Sequence, residues 1–165
     1  MVTLIGMGSG SWEALSVQAQ DAVRRAGLVF GAKRLLAGLP PECTARQFAL
    51  YQPAEILETL AQAPGQDAAV LYSGDTGFYS GASGLLTPLR ALGIPARVYP
   101  GVSSIQLLAA ALGRPWQDWK LVSAHGCACD PVAQCMTERS VFFLTGGAET
   151  PATLCRKLAD AGMGE

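Results

Sequence analysis

Ser73-Gly-Asp-Thr-Gly-Phe-Tyr-Ser-Gly-Ala82 is the stretch on which the reading of the chain turns. The residues before it, Ala68-Ala-Val-Leu-Tyr72, form an apolar run of the length expected for a buried strand. The residues after it, Leu85 to Leu92, carry the apolar spacing of a helix. A strand passing through a glycine-rich turn into a helix puts backbone N–H groups at the C-terminal edge of a parallel sheet, where open α/β sheets take their ligands. Gly74, Gly77 and Gly81 let the backbone bend and approach a ligand closely. Asp75 has two readings. Its carboxylate can accept hydrogen bonds from ribose hydroxyls or an ammonium group, or it can cap the following helix.

Working outward, Val2-Thr-Leu-Ile5 predicts a first strand and Gly6-Met-Gly-Ser-Gly10 a tight turn after it. This G-x-G-x-G resembles a dinucleotide fingerprint, but its third glycine comes one residue too early. Leu28-Val-Phe30, the expected second strand, is followed by Gly31-Ala-Lys-Arg34 without the carboxylate that an NAD ribose requires, so an NAD site is disfavoured. Lys33 and Arg34 suit either substrate carboxylates or a solvated surface, the latter being the simpler reading. Leu15 to Ala26 predicts a helix with Ser16 as N-cap and Gly27 as stop, and Pro53 to Ala63 a second. A short strand falls near Gln47-Phe-Ala-Leu50.

Further along, Ala96-Arg-Val-Tyr99 reads as a strand. Pro100-Gly-Val-Ser-Ser104 then opens an apolar helix running to Leu112. Ser103 and Ser104 suit helix capping, a grip on a ligand carboxylate, or both. Gly113 to Trp119 interrupts the pattern as a linker. Beyond it, Lys120-Leu-Val-Ser123 and Val141-Phe-Phe-Leu144 predict strands, Cys127 to Thr137 a loop and short helix, and Pro151 to Ala161 a helix capped by Thr150. The expected domains are an α/β lobe over 1–113, a linker over 114–119 and an apparently incomplete α/β lobe over 120–165. Two strands and two helices are too little for an independent core.

Half of the 165 residues are hydrophobic, 15% are charged and the net charge is −1. No Lys or Arg cluster offers a nucleic-acid footprint. No apolar run approaches the roughly 18–20 residues of a membrane span. The N-terminus lacks a basic signal region, which makes the cytoplasm the expected compartment. Five cysteines without a secretion signal read as reduced thiols. His125, Cys127, Cys129 and Cys135 cluster locally, but their spacing matches no usual zinc motif, so no metal is expected. His125 is the sole histidine. It is a general base, a substrate hydrogen-bond partner, or a structural side chain tied to backbone.

Taken together, Gly6 to Gly10, Ser73 to Tyr79 and Pro100 to Ser104 resemble, in order and spacing, the tetrapyrrole (corrin/porphyrin) methylases. Leu112-Gly-Arg-Pro-Trp-Gln-Asp-Trp119 followed by Val122-Ser-Ala-His-Gly126 is similar to the branch of precorrin-6Y methylases and cobalt-precorrin-7 (carbon-5) methyltransferases. The resemblance implies two α/β lobes, a mostly parallel sheet in the first, and a cleft between them. It implies S-adenosyl-L-methionine as methyl donor and transfer to carbon 5, or to carbons 5 and 15, of a precorrin or cobalt-precorrin in cobalamin biosynthesis. It places the cofactor at Gly74, Asp75, Thr76, Phe78, Ser103, Ser104, Leu144 and Thr145. It places the macrocycle at Gly8, Ser9, Gly10, Tyr79, His125 and Gly126, and names no catalytic side chain. A homodimer is implied, as is a separate carbon-15 methylase/decarboxylase as partner. Other substrates within the same fold are uroporphyrinogen or ribosomal RNA, and a non-catalytic nucleotide-binding or dimerisation module is the further alternative. Two departures stand out. Thr76 replaces the proline that follows the aspartate in many relatives, and Cys127 replaces the arginine of their His-Gly-Arg.

Overall fold

The computed structural model describes residues 1–137 and 140–164; Glu138, Arg139 and Glu165 of the expected second lobe lie outside the described residues. The chain divides into two compact units, Met1–Ser104 and Ile105–Glu165.

In the first unit the order is β1 (Val2–Gly6), a 3-10 turn (Trp12–Ala14), α1 (Val17–Arg25), β2 (Leu28–Phe30), α2 (Lys33–Leu36), β3 (Arg46–Phe48), α3 (Pro53–Ala61), β4 (Ala68–Tyr72), α4 (Ala82–Ala91) and β5 (Ala96–Tyr99). The five strands are all parallel, in the order β3-β2-β4-β1-β5. Parallel strands need crossover helices, and these cover both faces of the sheet. The strand period of two sorts the core accordingly. Leu4, Leu28, Phe30 and Val70 pack with Ile56, Leu85 and Leu89 on one face. Ile5, Val29, Ala69 and Leu71 pack with Ala19, Val23 and Leu35 on the other. Chain order reverses between neighbours β1 and β4, because β1 leads towards β2 and β4 leads towards β5. Their C-terminal ends therefore form the switch point of the sheet.

The second unit carries most of α5 (Ser104–Leu112), then β6 (Lys120–His125), α6 (Pro131–Cys135), β7 (Val141–Gly146) and α7 (Pro151–Asp160). β6 and β7 pair in parallel, with His125 opposite Gly146. Both strands run two residues past the expected ends, because the backbone pairing continues through Ala124–Thr145 and His125–Gly146. His125 is thus the last residue of a strand rather than part of the turn after it. Helix starts follow their caps: Ser16 accepts the Ala19 N–H, Asp130 accepts the Val132 and Ala133 N–H groups, and Thr150 accepts the Thr153 N–H. Among the described residues, no helix is long and apolar enough to cross a membrane.

Candidate functional site

Three loops converge at the switch point: Met7–Gly10 after β1, Ser73–Gly81 after β4, and Pro100–Ser103 after β5. Gly8 and Gly74 form an antiparallel bridge in which each N–H donates to the other's carbonyl at 3.0 Å. The Met7 N–H donates to the Tyr72 carbonyl at 2.8 Å. The approach leaves no room for side chains. A Cβ on Gly101 would lie 2.2 Å from the Gly74 carbonyl oxygen and 2.6 Å from the Gly6 carbonyl carbon; one on Gly6 would lie 2.6 Å from the Gly101 nitrogen. Gly74 itself has φ +64°, and nothing lies within 4 Å of the place where its Cβ would stand. A ligand can therefore approach this backbone at a point where a side chain would block it.

Asp75 holds two of these loops together. Its Oδ2 accepts the Gly77 N–H at 2.9 Å and its Oδ1 accepts the Gly101 N–H at 3.2 Å. The helix-cap reading of Asp75 is corrected by this arrangement: α4 has Gly81 at its N-cap, with no side-chain cap bond. Each carboxylate oxygen keeps a further lone pair for a ligand donor. Thr76 Oγ1 donates to the Tyr99 carbonyl at 3.5 Å. The Phe78 and Tyr79 rings meet edge to face, centroids 4.8 Å apart. Tyr79 has φ 47°, a left-handed conformation that an aromatic residue adopts at a cost of about 1 kcal/mol. Strain of this kind gathers at binding turns, and the Tyr79 side chain is half exposed. Ser103 is buried, whereas Ser104 is exposed at the first turn of α5. There the leading N–H groups have no partner within the helix.

Leu144, Thr145, His125 and Gly126 come together in the second unit, at the C-terminal end of the β6–β7 pair. The His125 Nδ1 lies 3.3 Å from the Thr145 carbonyl oxygen. A carbonyl only accepts, so Nδ1 carries the proton and the neutral ring keeps Nε2 as an acceptor. A Cβ on Gly146 would stand 1.8 Å from that Nδ1, so this glycine is what admits the imidazole. Beside it is a cavity of about 420 Å³ lined by Ala124, Gly126, Cys127, Gly146, Ala148 and Glu149. Glu149 Oε1 accepts from Lys157 Nζ at 2.6 Å, while its buried Oε2 has no hydrogen-bond partner among the described residues. No sequence motif pointed to Glu149. Burial pushes the Cys129 thiol up, and Glu149 and Cys127 add to the shift. Among the described residues, no group of three or more His, Cys, Asp or Glu is placed to hold a metal ion.

These features define a class. The sequence profile of the tetrapyrrole (corrin/porphyrin) methylases matches residues 1–164, and the chain belongs to that family. Methyl transfer is the activity of the family. Among curated proteins, the chain is 32% identical over 166 residues to the cobalt-precorrin-7 C(5)-methyltransferase of Salmonella typhimurium, covering 99% of this chain and 80% of the relative. Solved structures of other proteins share the fold. The methyltransferase CobJ superposes with a TM-score of 0.76 at 21% identity, covering 96% of this chain and 73% of that one. The uroporphyrin-III C-methyltransferase of Thermus thermophilus, complexed with S-adenosyl homocysteine, gives 0.71 at 22% identity over 98% and 72% of the two chains.

Proposed function

We propose that the chain is an S-adenosyl-L-methionine-dependent C-methyltransferase that methylates a precorrin or cobalt-precorrin macrocycle at carbon 5. The observation that carries this reading is the glycine junction, where Gly6, Gly74 and Gly101 pack backbone against backbone and the Gly74 Cα faces open space. Similarity to the Salmonella typhimurium enzyme along almost the whole chain supports the choice of macrocycle and ring carbon.

The residues present fit the methyl donor. Its ribose hydroxyls and ammonium group need acceptors, which the Asp75 carboxylate and the loop carbonyls supply. Its carboxylate needs donors, which Ser104 in the first turn of α5 and Ser103 just before it would offer. Thr76, Phe78, Leu144 and Thr145 complete the proposed contacts. When bound, S-adenosyl-L-methionine would supply an electrophilic methyl group. The chain's own work is alignment, because attack by a ring carbon depends on geometry more than on acid–base help. The Asp75 clasp fixes the Gly74–Gly77 backbone, and the strained Tyr79 presents its ring beside it. The His125 Nε2 is an acceptor for a macrocycle N–H, with the Thr145 carbonyl fixing the ring. Gly8, Ser9, Gly10 and Gly126 complete the macrocycle contacts as backbone surfaces. The working form is proposed to be a homodimer, checked by light scattering.

Incubating the purified chain with S-adenosyl-L-methionine and a cobalt-precorrin should leave the macrocycle with a methyl group in exchange for a proton, a net gain of CH2, and release S-adenosylhomocysteine. Uroporphyrinogen and ribosomal RNA are the competing substrates, and methylation of either in preference to the corrin would overturn the assignment. Calorimetry with S-adenosylhomocysteine, with NAD beside it, tests the donor site separately; no binding would sink the methyltransferase reading for this chain.

A further inference from the structure

Arg34 lies at the same sheet edge, and its surroundings are not those of an ordinary solvated charge. It sits on the short helix α2, which the buried Leu35 anchors in the core. From there the guanidinium reaches across to the loops after β1 and β4. Its Nη2 donates to Ser73 Oγ, and its Nη1 lies 3.6 Å from the place where a Gly10 Cβ would stand. Gly38 holds the same loop close, since a Cβ there would fall 2.7 Å from the Gly10 carbonyl oxygen. The guanidinium is therefore bracketed by Gly10 and Ser73, at the mouth of the switch point.

Its charge is not answered. Among the described residues the ion pairs are Met1–Asp67, Arg24–Asp21 and Lys157–Glu149, none of which involves Arg34. The carboxylate on this edge, Asp75, is turned to the Gly77 and Gly101 N–H groups. A hydroxyl uses one of the guanidinium's donors, and the rest of the planar fork matches a carboxylate in two-point fashion. Ser73 fixes the fork in one orientation, so less freedom is lost when an anion binds.

We propose that Arg34, held between Gly10 and Ser73, is the receptor for a peripheral carboxylate of the macrocycle. This rests on the methyltransferase reading above and assigns that site a specificity residue. The shared chemistry is a carboxylate, and the methionine moiety of the methyl donor carries one too, so the test must separate the two sources.

Calorimetry on the full chain does so with three probes: cobyrinic acid, its fully methyl-esterified form, and S-adenosylhomocysteine. Arg34→Gln should weaken cobyrinic acid about tenfold or more, the loss expected for a charge-assisted hydrogen bond. Arg34→Lys should recover part of that loss as a point charge without the fork. The ester should bind the wild type and Arg34→Gln alike, and S-adenosylhomocysteine should bind both within about twofold. Arg34 is exposed, and unchanged thermal unfolding confirms that the variants are folded. Cobyrinic acid binding Arg34→Gln as tightly as the wild type would overturn the inference and leave the methyltransferase reading standing. Loss of S-adenosylhomocysteine alone would overturn it in favour of the donor's carboxylate. A wild-type chain that binds neither the corrin nor S-adenosylhomocysteine would overturn both readings together.

Discussion

The glycine junction of the first unit and the His125 corner of the second are built by the same device used against different partners. Both lie where parallel strands end, and in both a glycine admits a neighbour that a Cβ would strike. At the junction the neighbour is backbone, with Gly74 and Gly6 atoms 2.2 and 2.6 Å from a Gly101 Cβ. At the corner it is the tip of a side chain, the His125 Nδ1, 1.8 Å from a Gly146 Cβ. A side chain can rotate away about its χ angles, whereas paired backbone moves only by giving up hydrogen bonds. The shorter distance is therefore the cheaper clash, and local geometry alone would rank the two the wrong way round. One site is a fixed scaffold. The other is an adjustable one whose chemistry depends on where a ring sits.

The largest effect follows at the scaffold. Gly101→Ala should cost about 3 kcal/mol or more, because three loop backbones must separate. Denaturant unfolding measures it, and a loss under about 1 kcal/mol would show that the junction yields after all. Asp75→Ala comes next, at about 2 kcal/mol, since it leaves the Gly77 and Gly101 N–H groups without their carboxylate. Asp75→Asn keeps one acceptor and should lose about half as much. If both variants unfold with the wild type, Asp75 is not a clasp, and any loss of cofactor affinity would belong to direct contact.

Most of the first unit was legible because its signals are local. Leu28–Phe30 and Ala96–Tyr99 are short runs bounded by turn residues, and the structure ends them at the expected positions. The second unit was less so: Ala124 to His125 and Thr145 to Gly146 read as turns because glycine follows each, yet pairing between the strands carries both onward. The glycine junction was visible only as three turns, since their contact depends on strand order, which no single stretch encodes. Asp75 was singled out, but a long-range partner such as Gly101 lies outside any sequence window. Arg34 looked like a surface charge for the same reason: Ser73 is far from it along the chain and adjacent in space.

Tyr72 tests the scaffold from beneath. Its carbonyl accepts the Met7 N–H, while its phenol is buried without a partner among the described residues. Burial pushes the phenol up from 10.0 to about 12. The fold favours the neutral form, so this contribution is intact below pH 10 and is lost as pH rises towards about 12. Tyr72→Phe should leave neutral-pH stability unchanged or raise it by about 1 kcal/mol, because it removes an unsatisfied hydroxyl. Stability measured against pH should fall less steeply above pH 10 in the variant than in the wild type. Equal alkaline slopes would mean that the phenol finds a partner in solution.

Gly146→Ala carries the smallest change in stability and the most informative one. The three atoms nearest the new Cβ all belong to the imidazole of His125, and the strand conformation at this position suits alanine. The lost bond to the Thr145 carbonyl and the gain from replacing a strand glycine nearly offset, leaving a net effect below about 1 kcal/mol. The ring, however, must leave. His125 is the chain's one histidine, so a long-range nitrogen–proton NMR spectrum reports on it without assignment. The wild type should show the Nδ1-protonated tautomer, and Gly146→Ala should revert towards the tautomer mixture of a free imidazole. If methyl transfer falls in step while S-adenosylhomocysteine binding holds, the ring's position serves the macrocycle. Activity unchanged beside a displaced ring would make His125 a strand-end lock and nothing more.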